Sequence, residues 1–90
     1  MILIDRPLWY KDGERWSHLV SNVSLEELHS FVDLLGVPRK AFQGDHYDIP
    51  ERLLARSIEL GAVLVDPRRL LSELKAAGLR RPSSPNRPLR

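Results

Sequence analysis

Three observations predict a small α/β protein. Short apolar runs of strand type, Met1-Ile2-Leu3-Ile4 and Ala62-Val63-Leu64-Val65, alternate with segments of helical periodicity. The helical segments carry start and stop signals, Ser24 to Gly36 and Asp66 to Gly78 among them. The chain has 90 residues, 42% apolar and 29% charged, which suits one soluble core. Strands alternating with helices predict a mostly parallel sheet of three to four strands, covered by three helices. Right-handed crossovers would link its parallel strands. Residues 1–79 form the single domain, and residues 80–90 a disordered basic Pro/Ser-rich tail.

Met1–Ile4 reads as a buried strand that ends at Asp5 and Pro7. Residues 6–15 mix Pro, Gly and charges around Trp9 and Tyr10, which suggests an irregular loop with an aromatic patch. His18–Ser21 has enough apolar character for a second strand.

The first helix spans Ser24–Leu35. Ser24 and Glu27 match a capping box, with Val23 and Leu28 spaced for a hydrophobic staple. Leu25, Leu28, Val32 and Leu35 recur at helical spacing, Phe31 widens the stripe, and Gly36 with Pro38 ends it. His29 falls at the margin of that stripe. Ala41–Gln43 reads as a brief third strand, and Gly44–Asp48 as a polar loop. Asp48 is placed as the cap of a second helix over Ile49–Leu60, with Pro50 in its first turn and Leu54 and Ile58 inward. Residues 62–65 form the last strand. Asp66 caps a third helix that opens on Pro67 and carries Leu70, Leu71, Leu74 and Ala77 on one stripe.

Charge bears on partners. The chain is +2 overall, but four of its 14 basic residues, Arg80, Arg81, Arg87 and Arg90, lie in the last eleven positions. Residues 1–79 keep ten basic residues against twelve acids, a net charge of −2. The basicity belongs to the tail, where it allows weak, salt-sensitive nucleic-acid contact. The domain itself lacks a basic face. No run approaches the roughly 20 apolar residues of a membrane span, and the N-terminus has no basic leader. With no cysteine, disulfides and thiolate metal sites are excluded. A cytoplasmic protein is expected, and self-association would add burial to a thin core.

Chemistry concentrates around three histidines, in Ser17-His18-Leu19, Glu27-Leu28-His29 and Asp45-His46-Tyr47-Asp48. Imidazole moves protons and binds metals near neutral pH. On an open sheet, ligands gather beyond the carboxyl ends of strands, where Asp5 and Asp45–Asp48 fall. We expect one polar pocket there. His18, His46, Tyr47 and Asp48 are its candidate acid–base or catalytic groups. Asp5, Ser17, His29 and Arg39 are candidate ligand contacts. A divalent metal on His18, His29 and His46, with a carboxylate such as Asp5 or Asp48, is a further expectation, although spacings of eleven and seventeen residues match no compact ligand motif. Ser17 lacks the nucleophile-elbow context, and no glycine-rich phosphate loop is present. Each residue also has a structural reading. Asp48 could serve as a helix cap, Tyr47 as a core ring, and His29 as a donor to a backbone carbonyl.

Ile4-Asp5, Ser17-His18-Leu19, Glu26-Glu27-Leu28-His29, Gly44-Asp45-His46-Tyr47-Asp48 and Gly61-Ala62, in this order, resemble the pattern of a family of small bacterial and phage proteins catalogued as domain of unknown function 4031 (DUF4031). The resemblance covers residues 1 to about 79. It places Asp5, His18, His29, His46, Tyr47 and Asp48 at motif positions, and implies no activity. The chain departs from the pattern at Asn22, where an acid is usual. The expected use is binding or hydrolysis of a small anionic or nucleotide-like ligand. The alternative is a non-catalytic protein-interaction or structural module, able to form a homodimer, acting through the Trp9–Trp16 loop and the helix faces.

Overall fold

The computed structural model describes residues 1–80. In chain order these form β1 (Ile2–Ile4), β2 (Trp9–Lys11), β3 (Glu14–Ser21), α1 (Leu25–Leu35), a 3-10 turn (Arg39–Ala41), β4 (Tyr47–Pro50), a second 3-10 turn (Glu51–Leu53), α2 (Leu54–Glu59), β5 (Val63–Leu64) and α3 (Pro67–Ala76). The five strands make one mixed sheet built on β3. On one edge of β3, β2 and β1 pair antiparallel with its first and second halves. On the other edge β4 pairs antiparallel. Only β5, alongside β1, is parallel to its neighbour.

The expected mostly parallel sheet of three to four strands is therefore corrected. The cause is a hairpin within the segment read as an irregular loop. Asp12 and Gly13 both take left-handed backbone angles, φ 54° and 79°, as a two-residue hairpin turn requires. The chain reverses there, and β3 begins four residues earlier than its apolar character suggests. Pro7 and the flanking charges hide the pattern, because they sit in the irregular link between β1 and β2. The ladder is interrupted at that link and resumes where Leu8 N–H donates to the Trp16 carbonyl at 3.1 Å.

A second correction concerns residues 41–60. Ala41–Gln43 is no strand; a 3-10 turn occupies Arg39–Ala41, and Phe42 makes an isolated bridge to Tyr47. The strand lies instead at Tyr47–Pro50, the stretch assigned to the start of a helix. Tyr47 and Ile49 are buried and Asp48 half-buried, a period of two rather than 3.6. Pro50 ends this strand, where its missing N–H costs little. Asp48 thus caps no helix. α2 shrinks to six residues and leaves Ile58 42% exposed.

The other two helices follow expectation. Ser24 accepts from Glu27 N–H at 3.1 Å, and Asp66 from Arg69 N–H at 3.0 Å. The Glu27 carboxylate does not complete the capping box. It takes the Ser21 hydroxyl at 2.5 Å and the Met1 ammonium at 3.0 Å, while Ser21 Oγ accepts from Ser24 N–H. Val23 is 64% exposed, so an expected staple to Leu28 would bury little of it.

The sheet divides the core. Ile2, Ile4, Leu19, Tyr47 and Ile49 pack against Leu28, Phe31 and Val32 of α1. Leu3, Val20 and Val65 pack against Leu70 and Leu74 of α3. The α3 side has the smaller apolar cluster, and the half-buried side chains of Trp16, His18 and Asp48 continue that face beyond it. That stretch of the sheet holds His18 and Asp48, two of the polar groups singled out above.

Candidate functional site

Strand alternation decides which side chains meet. Along β3, Ser17, Leu19 and Ser21 face α1, while Trp16, His18 and Val20 face the α3 side. Along β4, Tyr47 and Ile49 face α1, and Asp48 faces the other way. His18 and Asp48 are direct cross-strand partners. The expected single pocket is therefore split by the sheet.

On the α3 side, Asp5 is fully buried and doubly engaged. Its Oδ1 accepts from His18 backbone N–H at 2.6 Å, and its Oδ2 from His18 Nδ1–H at 2.8 Å. The local cause is the break between β1 and β2. A backbone donor left unpaired at a ladder interruption needs an acceptor, and the Asp5 carboxylate supplies it. The same carboxylate raises the His18 imidazole pKa above its ordinary value, against the opposing effect of burial. Trp9 lies against the His18 ring, with centroids 4.4 Å apart.

His46 repeats the arrangement. Gly44, at φ 94°, lets residues 43–46 turn so that Gln43 N–H donates to the His46 carbonyl at 2.8 Å. The turn brings two sequence neighbours together: His46 Nδ1–H donates to the buried Asp45 carboxylate at 2.7 Å. His46 Nε2 points at Asp48 Oδ1, 3.2 Å away. The His18 and His46 rings meet edge to face at 5.3 Å. One donor atom from each of His18, His46 and Asp48 lies within 4.8 Å of the others.

With Nδ1 given to a carboxylate, each imidazole turns Nε2 to another partner; His46 Nε2 already faces Asp48, a contact that carries a proton when no ion is bound and that an ion would replace. This carboxylate–histidine pairing is how proteins orient metal-ligating histidines. Two imidazoles and a carboxylate suit a first-row divalent ion. The group could hold such an ion; it unites His18, His46 and Asp48 of the expected set and leaves out His29.

His29 belongs to the opposite face. Its Nδ1 lies 2.7 Å from the Tyr47 hydroxyl, and its ring packs edge-on against Phe42 at 4.8 Å. Burial pushes the Tyr47 phenol up, so it stays neutral. Ser17 is also on this face, buried, with no hydrogen-bond partner for its Oγ among the described residues. Arg39 is drawn away by Asp33, with Nη2 2.9 Å from Oδ2. Tyr47, His29, Ser17 and Arg39 thus stand apart from the His18–His46 group. Asn22 donates to Glu73 of α3 at 3.0 Å. One residue past the end of β3 and four from His18, roughly 13 Å at strand rise, it stands apart from the group.

Two participants were absent from the candidate set. Asp45 is beside His46 in sequence, and Gly44 was the available sign of a turn that could pair them. Arg80 was assigned to the tail, yet its Nη1 lies 3.6 Å from Asp45 Oδ2. Residues 81–90, the rest of that expected tail, lie outside the described residues.

Fold and site together define a small mixed α/β domain with a paired-histidine, carboxylate-supported cluster on one sheet face. A family model described as "Protein of unknown function (DUF4031)" matches residues 2–77, and the chain belongs to that family. No curated protein and no solved structure matches the chain. No helix among the described residues is long and apolar enough to cross a membrane.

Proposed function

We propose that the protein binds a first-row divalent metal ion, zinc foremost, through His18, His46 and Asp48, and through that ion a small anionic ligand. One observation carries the reading: both histidines give Nδ1 to an aspartate, and both lie within ligating reach of a third carboxylate. Three protein ligands leave room for water or an external ligand, the pattern of catalytic rather than structural sites. Hydrolysis is the reaction class such a site serves, because a bound ion makes water a nucleophile near neutral pH.

The test is zinc titration against a chelating dye, paired with melting curves. We expect one ion per chain and a higher melting temperature by mass action. His46→Ala should abolish both effects, and His29→Ala neither. Absence of binding in the wild type, or equal loss in the two variants, defeats the reading.

The alternative, an interaction module, draws on Leu8 and Tyr10 around β2, which are 55% and 69% exposed. It requires no metal response, so the same titration separates the two.

A further inference from the structure

Beside His18 lies a cleft of about 220 Å³ lined by Asp5, His18, Pro67, Leu70, Leu71 and Arg80. Its walls differ in character. Pro67, Leu70 and Leu71, all from α3, give an apolar side. Arg80 places a guanidinium next to His18, held 3.6 Å from the buried Asp45 carboxylate. A guanidinium presents a planar fork of donors that matches an oxyanion.

Resting on the metal reading above, we propose that Arg80 and the ion together hold the oxyanion of a small ligand, whose apolar substituent lies along Pro67, Leu70 and Leu71. Charge makes this capture conditional on the ion. Asp5, Asp45 and Asp48 bring three carboxylates to the cluster, against Arg80 as the cation beside them. With both imidazoles neutral and no ion, three carboxylates against one guanidinium disfavour an anion; a divalent ion with Arg80 offsets the three negative charges. Size narrows the substituent. The cleft falls below the roughly 300–1,000 Å³ of sites that bury drug-sized molecules. A single ring or short alkyl group suits it better than the whole of a nucleoside. Arg80 is thus a positioning residue for the oxyanion, distinct from the ligands of the ion.

The experiment is calorimetric titration of phenyl phosphate, benzoate and inorganic phosphate into the full chain, with and without one equivalent of zinc. The variants are Arg80→Ala, Arg80→Lys and Leu71→Gln. We expect phenyl phosphate or benzoate to bind the zinc-loaded wild type and to bind at least tenfold more weakly without zinc. Inorganic phosphate should bind more weakly than phenyl phosphate. Arg80→Ala should weaken the aromatic oxyanion at least tenfold, with zinc affinity within twofold of wild type. Arg80→Lys should recover part of the loss, and Leu71→Gln should erase the preference for phenyl phosphate over phosphate. Zinc bound at full stoichiometry, with no oxyanion binding or none sensitive to Arg80, overturns this proposal alone. Failure of the wild type to take up zinc overturns the metal reading and this proposal with it.

Discussion

Asp5→Asn tests the site at its support rather than at its ligands. The substitution is isosteric, and the amide oxygen can still accept His18 backbone N–H, now at 2.6 Å. The other end changes sign. An NH2 group would sit where Oδ2 is, 2.8 Å from His18 Nδ1, so two donors would face each other. The imidazole escapes by moving its proton to Nε2, which removes the lone pair assigned to the metal. A hydrogen bond to a charged group contributes about 1.5–3 kcal/mol. Asp5 is fully buried, but the His18 side chain is 39% exposed and water can replace part of the loss. The lower end, about 1.5 kcal/mol, is the expected destabilisation, or a melting-temperature drop of about 6–12 °C for a domain of this size. Zinc affinity should fall about 10–100-fold, the usual effect of removing a histidine's carboxylate support. Denaturant titration gives the stability, dye competition the affinity, and long-range proton–nitrogen NMR the tautomer. Zinc affinity within twofold of wild type, with the proton still on Nδ1, would refute the argument.

The remaining predictions concern the fold and the opposite face. Tyr47→Phe removes the hydroxyl facing His29 and should cost about 0.5–1.5 kcal/mol in denaturant titrations, with zinc affinity unchanged. Gly13→Ala puts a Cβ into open space at φ 79°, so only backbone strain opposes it. A loss of about 1–2 kcal/mol is expected, and no loss would contradict the left-handed hairpin turn. Burial pushes the Glu27 carboxyl up, but the Ser21 hydroxyl and the Met1 ammonium outweigh it and hold its pKa below the ordinary 4.5. The folded state therefore favours the charged form. The stabilisation is fully present above pH 4.5 and is lost as pH falls through the lowered folded value. Glu27→Gln should flatten the melting-temperature profile in that acid range; an unchanged profile would remove Glu27 from the account.

Where the sequence carried its own punctuation, the fold was legible in it. Ser24 with Gly36, and Asp66-Pro67 with Gly78, delimited two helices because caps and stops are local chemistry. Tyr47-Asp48-Ile49-Pro50 was not legible. Asp before a proline-bearing apolar stretch satisfies the local rule for a helix start, yet pairing with β3 is a long-range choice that local rules do not encode. The site followed the same division. Three histidines were singled out together, but β-strand alternation sends Tyr47 to one face and Asp48 to the other. That separation appears only once β4 is known to be a strand. A helix over residues 49–60 gives Asp48 a capping role, whereas the strand puts it opposite His18. Arg80 was missed because composition assigns it to a tail, whereas its contact with Asp45 depends on where α3 ends in space.

The pairing of His18 with Asp48 makes the cluster a gauge of strand registry. Sliding β4 by one residue along β3 would turn Tyr47 or Ile49 toward His18 and send the Asp48 carboxylate into the apolar layer beneath α1. Lengthening or shortening the Gln43–His46 turn by one residue would force that choice between buried phenol and the proposed ligand set. The aligned β3–β4 ladder alone satisfies both faces, so ion uptake would report, in one measurement, whether the sheet has assembled in its native frame.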